Sequence, residues 1–259
     1  MSAAFGTILI TGGAGGIGSS LARMVVAKGG SVVLFGRTPE LLETLDSELG
    51  SNALAVPGDS GNLEELNQAV QAGVERFGRL DGLAHCVGSI KLKALHLASP
   101  EEFAETIHIN LTTAFLACRA VLGEFRKQSS GSIVLVSSVA ARQGLNNHEL
   151  IAAAKGAIEG MVRSAAITYA RQGIRFNAVA PGLTETPLAA PLLKSEAARS
   201  FSESMHPLGR IGKPEDVAAV MAYLLGSESG WVTGQVWGVD GGLGAGLAPP
   251  RMQLSANAR

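Results

Sequence analysis

The stretch Thr11-Gly12-Gly13-Ala14-Gly15-Gly16-Ile17-Gly18 constrains this chain more than any other. An apolar run, Thr7 to Ile10, precedes it, and an amphipathic segment, Ser19 to Lys28, follows it. A strand, a tight glycine turn and a helix start, in that order, make a site for phosphate. The unpaired N–H groups of a helix start carry the positive end of its dipole, so an anion is stabilised there. Glycine is needed where a Cβ would block the ligand's approach or forbid a turn with positive φ. Two frames fit the letters. Gly13-x-Gly15-x-x-Gly18 matches the dinucleotide fingerprint, and Thr11-Gly12-x-x-x-Gly16-x-Gly18 has a different spacing. No Lys-Ser or Lys-Thr follows, which excludes a mononucleotide P-loop.

Strand-like and helix-like segments alternate along the rest of the chain. Strands are predicted at Ser31–Phe35, Ala53–Val56, Asp81–Val87, Ser132–Ser137, Arg175–Ala180 and Val232–Val239, after the first at Thr7–Ile10. Helices are predicted at Pro39–Leu49, Asn62–Phe77, Pro100–Lys127, Asn147–Arg171 and Pro214–Leu225. The third of these is capped by Ser99, with Glu101 and Glu102 in its first turn. Regular alternation implies parallel strands joined by right-handed crossovers. A (β/α)8 barrel has similar length, but its phosphate site is expected late in the chain. The expected fold is therefore α/β: a single-domain doubly wound parallel sheet of about seven strands, a Rossmann fold, with helices on both faces. It should span residues 1–259, with 243–259 a partly loose tail. Leu183 to Pro207, rich in Ala, Ser and Leu, reads as an excursion over the site.

Bulk properties narrow the function. A 46% hydrophobic fraction suits a sheet covered on both faces. A net charge of −1 offers no basic footprint for nucleic acid and no polybasic signal for a membrane surface. Cys86 and Cys118 have no CxxC spacing, so neither a disulfide frame nor a metal site is expected. No apolar run reaches membrane-spanning length, and the first strand begins too early for a cleaved signal sequence. A cytoplasmic protein is the expectation.

With the glycine turn, Ser137-Ser138, Lys155 and Asn177-Ala178-Val179-Ala180-Pro181-Gly182 in this order, the chain resembles the short-chain dehydrogenase/reductase family. Asp59, Gly88, Asn110 within Ile109-Asn110-Leu111, and Val239-Asp240-Gly241-Gly242 extend the likeness from about Thr7 to Gly242. The resemblance implies a nicotinamide cofactor, a small-molecule carbonyl or alcohol substrate, and a homo-oligomer, tetramer or dimer. It implies cofactor contacts from Gly12, Gly15, Gly16, Ile17 and Gly18, from Asp59 and Ser60 at the adenine, and from Val87 and Gly88 at the nicotinamide ribose. Pro181, Gly182, Leu183, Thr184 and Thr186 resemble the segment that holds the carboxamide and pyrophosphate. Asn110, Ser138 and Lys155 match three of the family's four catalytic positions, Lys155 also holding the nicotinamide ribose.

The fourth position departs. The family motif Tyr-x-x-x-Lys reads Ile151-Ala152-Ala153-Ala154-Lys155. Hydride addition to a carbonyl leaves an alkoxide that needs a proton, and a phenol beside an ammonium can supply it. Isoleucine cannot. Tyr169 lies too far along the helix to replace it. His148, three positions before Ile151 and seven before Lys155, is expected on the same helix face, and imidazole is the commonest general acid. The same residue also reads as a surface histidine at a helix start. Glu149 points further round and is the poorer candidate. The family's Asn-Asn-Ala-Gly stretch reads His85-Cys86-Val87-Gly88, where His85 is expected to be buried and hydrogen-bonded and Cys86 to fill core space.

At the end of the second strand an acid would bind the adenosine ribose of NAD. Here Gly36-Arg37-Thr38 stands instead. Arg37 and Thr38 suit a 2′-phosphate, so NADP is expected over NAD.

Overall fold

The computed structural model describes residues 5–246. The seven expected strands are present: β1 (Thr7–Thr11), β2 (Ser31–Gly36), β3 (Ala53–Pro57), β4 (Gly82–His85), β5 (Gly131–Val136), β6 (Ile174–Pro181) and β7 (Val236–Val239). They form one parallel sheet in the order β3-β2-β1-β4-β5-β6-β7. Chain order reverses between β1 and β4, and in open parallel sheets the crevice at the carboxyl ends beside such a reversal holds ligands.

Successive strand residues point to opposite faces, and each face carries its own core. Leu9, Val33, Leu83, Ile133 and Phe176 lie side by side in register on one face. Helices α3 (Leu63–Phe77), α5 (Thr113–Gln128) and α6 (Glu149–Tyr169) cover them through Leu66, Val121, Phe125, Ile158 and Val162. On the other face Ile8, Ile10, Val32, Leu34 and Val134 meet α1 (Gly16–Ala27), α2 (Pro39–Leu49) and α8 (Pro214–Leu225). Pro100–Gln128 is long and apolar enough to cross a membrane by length and composition. Its Ala114, Ala117, Val121 and Phe125 are spent on the core of the sheet.

Three predicted elements are corrected. The single helix from Pro100 to Lys127 is α4 (Pro100–Ile107), a π turn (His108–Thr112) and then α5. The widened turn holds Asn110, and such turns recur at functional sites. The helix expected from Asn147 starts at Glu149, because Asn147 has φ of +60° and cannot continue a right-handed helix. The seventh strand starts at Val236 rather than Val232, after a left-handed Gly234. The excursion from Leu183 to Pro207 contains a 3-10 turn (Ala190–Leu193) and α7 (Glu196–Met205), none of whose residues is buried. Of the expected loose tail, residues 247–259 lie outside the described residues.

Candidate active site

The glycine turn has the shape its letters require. Gly12 has φ of +71°, and a Cβ on it would stand 3.1 Å from the Cys86 carbonyl carbon and 3.2 Å from the Val87 nitrogen. A Cβ on Gly18 would collide with the Gly12 carbonyl. Helix α1 starts at Gly16 with Gly15 at its cap and no side chain satisfying its first N–H groups. That leaves backbone donors for an anion. Thr186 leans over this start, its Cγ2 2.8 Å from where a Gly16 Cβ would be, so the segment after β6 closes onto the turn. The cradle fits a dinucleotide pyrophosphate.

Along the crevice, Gly58 N–H donates to the Gly36 carbonyl at 2.8 Å, bringing Arg37 and Thr38 beside Asp59 and Ser60. Arg37 is exposed, and among the described residues it has no ion-pair partner. Asp59 Oδ1 accepts the Gly61 N–H at 2.8 Å, while Ser60 is buried.

His85 and Thr11 tie β4 to β1 at the reversal. The Thr113 hydroxyl donates to the Ile109 carbonyl at 2.6 Å, so it accepts from His85 Nε2–H at 3.2 Å. His85 Nδ1 then accepts from the Thr11 hydroxyl at 2.8 Å. Burial, and secondarily the Lys155 ammonium, push its pKa down to about 3, which fits this neutral ring. His85 is thus the buried, hydrogen-bonded residue expected. Cys86 packs beside the second core, and burial pushes its thiol up to about 12, leaving it protonated.

Asn110, Lys155 and Gly88 meet in one place. A Cβ on Gly88 would lie 3.0 Å from Asn110 Oδ1 and 3.4 Å from Lys155 Nζ, so glycine keeps the approach open to both. The Asn110 amide is fully engaged: Oδ1 accepts from Ser89 N–H at 3.0 Å, and Nδ2 donates to Ser89 Oγ and the Thr106 carbonyl. Lys155 is 5% exposed, and Nζ donates to the Val136 carbonyl at 2.8 Å. Burial lowers its pKa to about 8. Ser138, just past β5, accepts the Ala140 N–H at 3.2 Å, and its own hydroxyl proton stays available.

Ile151 is 5% exposed and shares the buried side of α6 with Lys155. His148 does not share that burial. It caps α6 without a side-chain cap bond, is half-buried, and lies 2.7 Å through Nδ1 from the Asn146 carbonyl. A carbonyl only accepts, so Nδ1–H donates to it and Nε2 is the nitrogen that faces away from this bond. Among the described residues no hydrogen bond joins His148 to Ser138.

One buried network escaped sequence reasoning. Glu159, one turn past Lys155, accepts from Ser137 Oγ at 3.1 Å and from Arg142 Nε at 2.8 Å. Arg142 also donates to the Val236 carbonyl at 3.3 Å, so the network ties the segment just after β5 to α6 and β7. The only trace in the sequence is the four-residue spacing of Lys155 and Glu159 on one helix face. Arg142→Ala leaves a buried carboxylate short of a partner. Because the Arg142 side chain is 48% exposed and water can follow, the expected loss is about 1–3 kcal/mol, read from chemical denaturation.

Comparison with known proteins agrees with this geometry. The family model described as enoyl-(acyl carrier protein) reductase matches residues 12–244. A 3-oxoacyl-[acyl-carrier-protein] reductase, FabG, of Thermotoga maritima is 37% identical over 242 residues, covering 91% of this chain and 96% of its own. A short-chain type dehydrogenase/reductase from Mycobacterium ulcerans superposes with a TM-score of 0.90 at 32% identity, covering 96% of this chain and 93% of its own. An actinorhodin polyketide ketoreductase variant solved with NADPH gives a TM-score of 0.88 at 31% identity, covering 94% of this chain and 99% of its own. With the parallel sheet, the glycine cradle and the meeting of Asn110 and Lys155, these likenesses settle the family: the chain belongs to the short-chain dehydrogenases/reductases.

Proposed function

We propose that this chain is an NADP-dependent oxidoreductase that moves a hydride between the nicotinamide and the carbonyl or alcohol carbon of a small molecule, with His148 in the proton-donor role. The observation that carries this reading is the buried Lys155 ammonium facing Gly88 at the end of β5, with a Ser138 hydroxyl that, among the described residues, donates to no protein group. Bound NADPH would supply the hydride. The glycine turn would hold the pyrophosphate, Lys155 the nicotinamide ribose, and Pro181–Thr186 the carboxamide side. Ser138 would hold the substrate oxygen by donating its hydroxyl proton. His148, as imidazolium, would give the Nε2 proton to the developing alkoxide and be reprotonated by a solvent proton, so that ketone, NADPH and one proton yield alcohol and NADP⁺. Asn110, with its amide committed to Ser89 and Thr106, would act through the main-chain carbonyls of its π turn on a water between it and Lys155.

Ketones are the favoured substrate class. The Thermotoga relative is named for a 3-oxoacyl group and the actinorhodin neighbour for ketoreduction. Assembly into a dimer or tetramer is supported by the exposed Trp231 and Ile167 and the part-exposed Trp237 and Tyr223, and size-exclusion chromatography with light scattering tests it. Turnover is tested by following nicotinamide absorbance over a panel of ketones with NADPH. At least one should be reduced; a rate no different from the substrate-free control on every one counts against catalysis.

Cofactor choice is tested separately. Arg37, exposed and, among the described residues, without an ion-pair partner, is free to make a charge-assisted contact with a 2′-phosphate. Arg37→Ala is expected to weaken NADPH binding by about tenfold with little change for NADH, read by calorimetry. Equal loss for both would make Arg37 structural.

A further inference from the structure

His206 takes no part in the reaction as derived, yet it is 3% exposed and both ring nitrogens are bonded. Nδ1 lies 2.7 Å from the Ser202 carbonyl, which only accepts, so Nδ1 carries the proton. Nε2 lies 3.2 Å from the Leu183 main-chain nitrogen, which only donates, so Nε2 is the acceptor. The two bonds fix one neutral tautomer. Ser202 belongs to α7, and Leu183 to the segment that follows β6 toward the glycine turn.

The contact is close as well as polar. A Cβ on Gly182 would stand 2.7 Å from His206 Nε2 and 3.0 Å from the Asp240 Cα, so glycine is required for the ring to lie there. The two limbs of the excursion also pair at its base. Gly212 N–H donates to the Leu183 carbonyl at 2.9 Å, and Glu185 N–H to the Gly212 carbonyl at 2.8 Å. Leu183 is thus held at both its N–H and its carbonyl by the returning limb. His206 and Leu183 also line one cavity of about 330 Å³, together with Leu208, Arg210 and Asp240. The ring is closely packed, and hydrogen bonds at both nitrogens fix its orientation.

We infer that His206 is a positioning residue that couples α7 to the dinucleotide-contacting segment Pro181–Thr186, so that the placement of α7 sets how tightly the nicotinamide half is held. This rests on the dinucleotide-binding reading above. The test titrates the full chain with NADPH, followed by nicotinamide fluorescence, alongside limited proteolysis of the 183–212 segment. His206→Leu leaves the Leu183 N–H without its partner. It is expected to weaken NADPH about tenfold or more and to speed cleavage within the segment. His206→Gln offers an amide oxygen in place of Nε2 and should bring affinity back to within about threefold of wild type. If the leucine variant does not fold, His206→Asn, whose amide is too short to reach Leu183, takes its place with the same expected loss. Wild-type affinity in the leucine or asparagine variant, or no recovery with glutamine, overturns the coupling alone. A wild-type chain that binds neither NADPH nor NADH removes the dinucleotide reading, and the coupling with it.

Discussion

Lys155→Ala is expected to remove turnover to below detection and to weaken NADPH at least tenfold, with the fold retained. The amine is buried, donates to the Val136 carbonyl, and faces the open side of Gly88. Its Nζ and Asn110 Oδ1 both lie against Gly88. In the role proposed for it, replacing it would remove a charge-assisted bond to the ribose and the charge that favours an alkoxide beside it. The buried Ala154 methyl and the Ile158 side chain keep the α6 packing, so circular dichroism should be unchanged. The lowered pKa gives a second readout. Burial favours the uncharged amine, so Lys155 loses its proton as pH rises through about 8. The ammonium's contribution is complete below that value and lost above it, and kcat/KM, which reports the free enzyme, should fall across pH 8. A flat profile between pH 7 and pH 9 would remove the charge from the account.

The second large effect concerns the proton. Loss of a general acid costs about 10²–10⁴-fold in rate, so His148→Gln should lower kcat by that order with NADPH affinity nearly unchanged. The Nδ1–H bond to the Asn146 carbonyl leaves Nε2 as the nitrogen able to face a substrate. Ile151→Tyr in the His148→Gln background is the complement. It places a phenol on the Lys155 side of α6 and should recover activity. If His148→Gln is harmless while Ile151→Tyr alone creates activity from none, the native chain binds the dinucleotide without reducing anything.

How much of this was legible in the sequence depends on how local each signal is. The glycine turn, the strand runs and the helix caps depend on neighbours within a few residues. Asn62 and Ser99 cap α3 and α4 through such local bonds, as polar residues before apolar periodicity should. The π turn at Asn110 was not legible, because its apolar spacing is still that of a helix and the extra residue shows only in the bonding. The left-handed Asn147 hid inside a helical pattern, since asparagine tolerates that conformation without a marker such as glycine. The site residues of the family order were legible only through their resemblance, each being unremarkable alone. Glu159 with Arg142, and His206 with Leu183, were out of reach, because they join positions 17 and 23 residues apart with no periodic signature.

Hydride transfer by this chain is read directly by label transfer. The chain is incubated with NADPH deuterated at the reactive nicotinamide carbon and a ketone panel, and the alcohol products are analysed by mass spectrometry. Deuterium is expected on the carbinol carbon of at least one product, lost with Lys155→Ala and diminished with His148→Gln. Tight NADPH binding with no labelled alcohol from any ketone would contradict it.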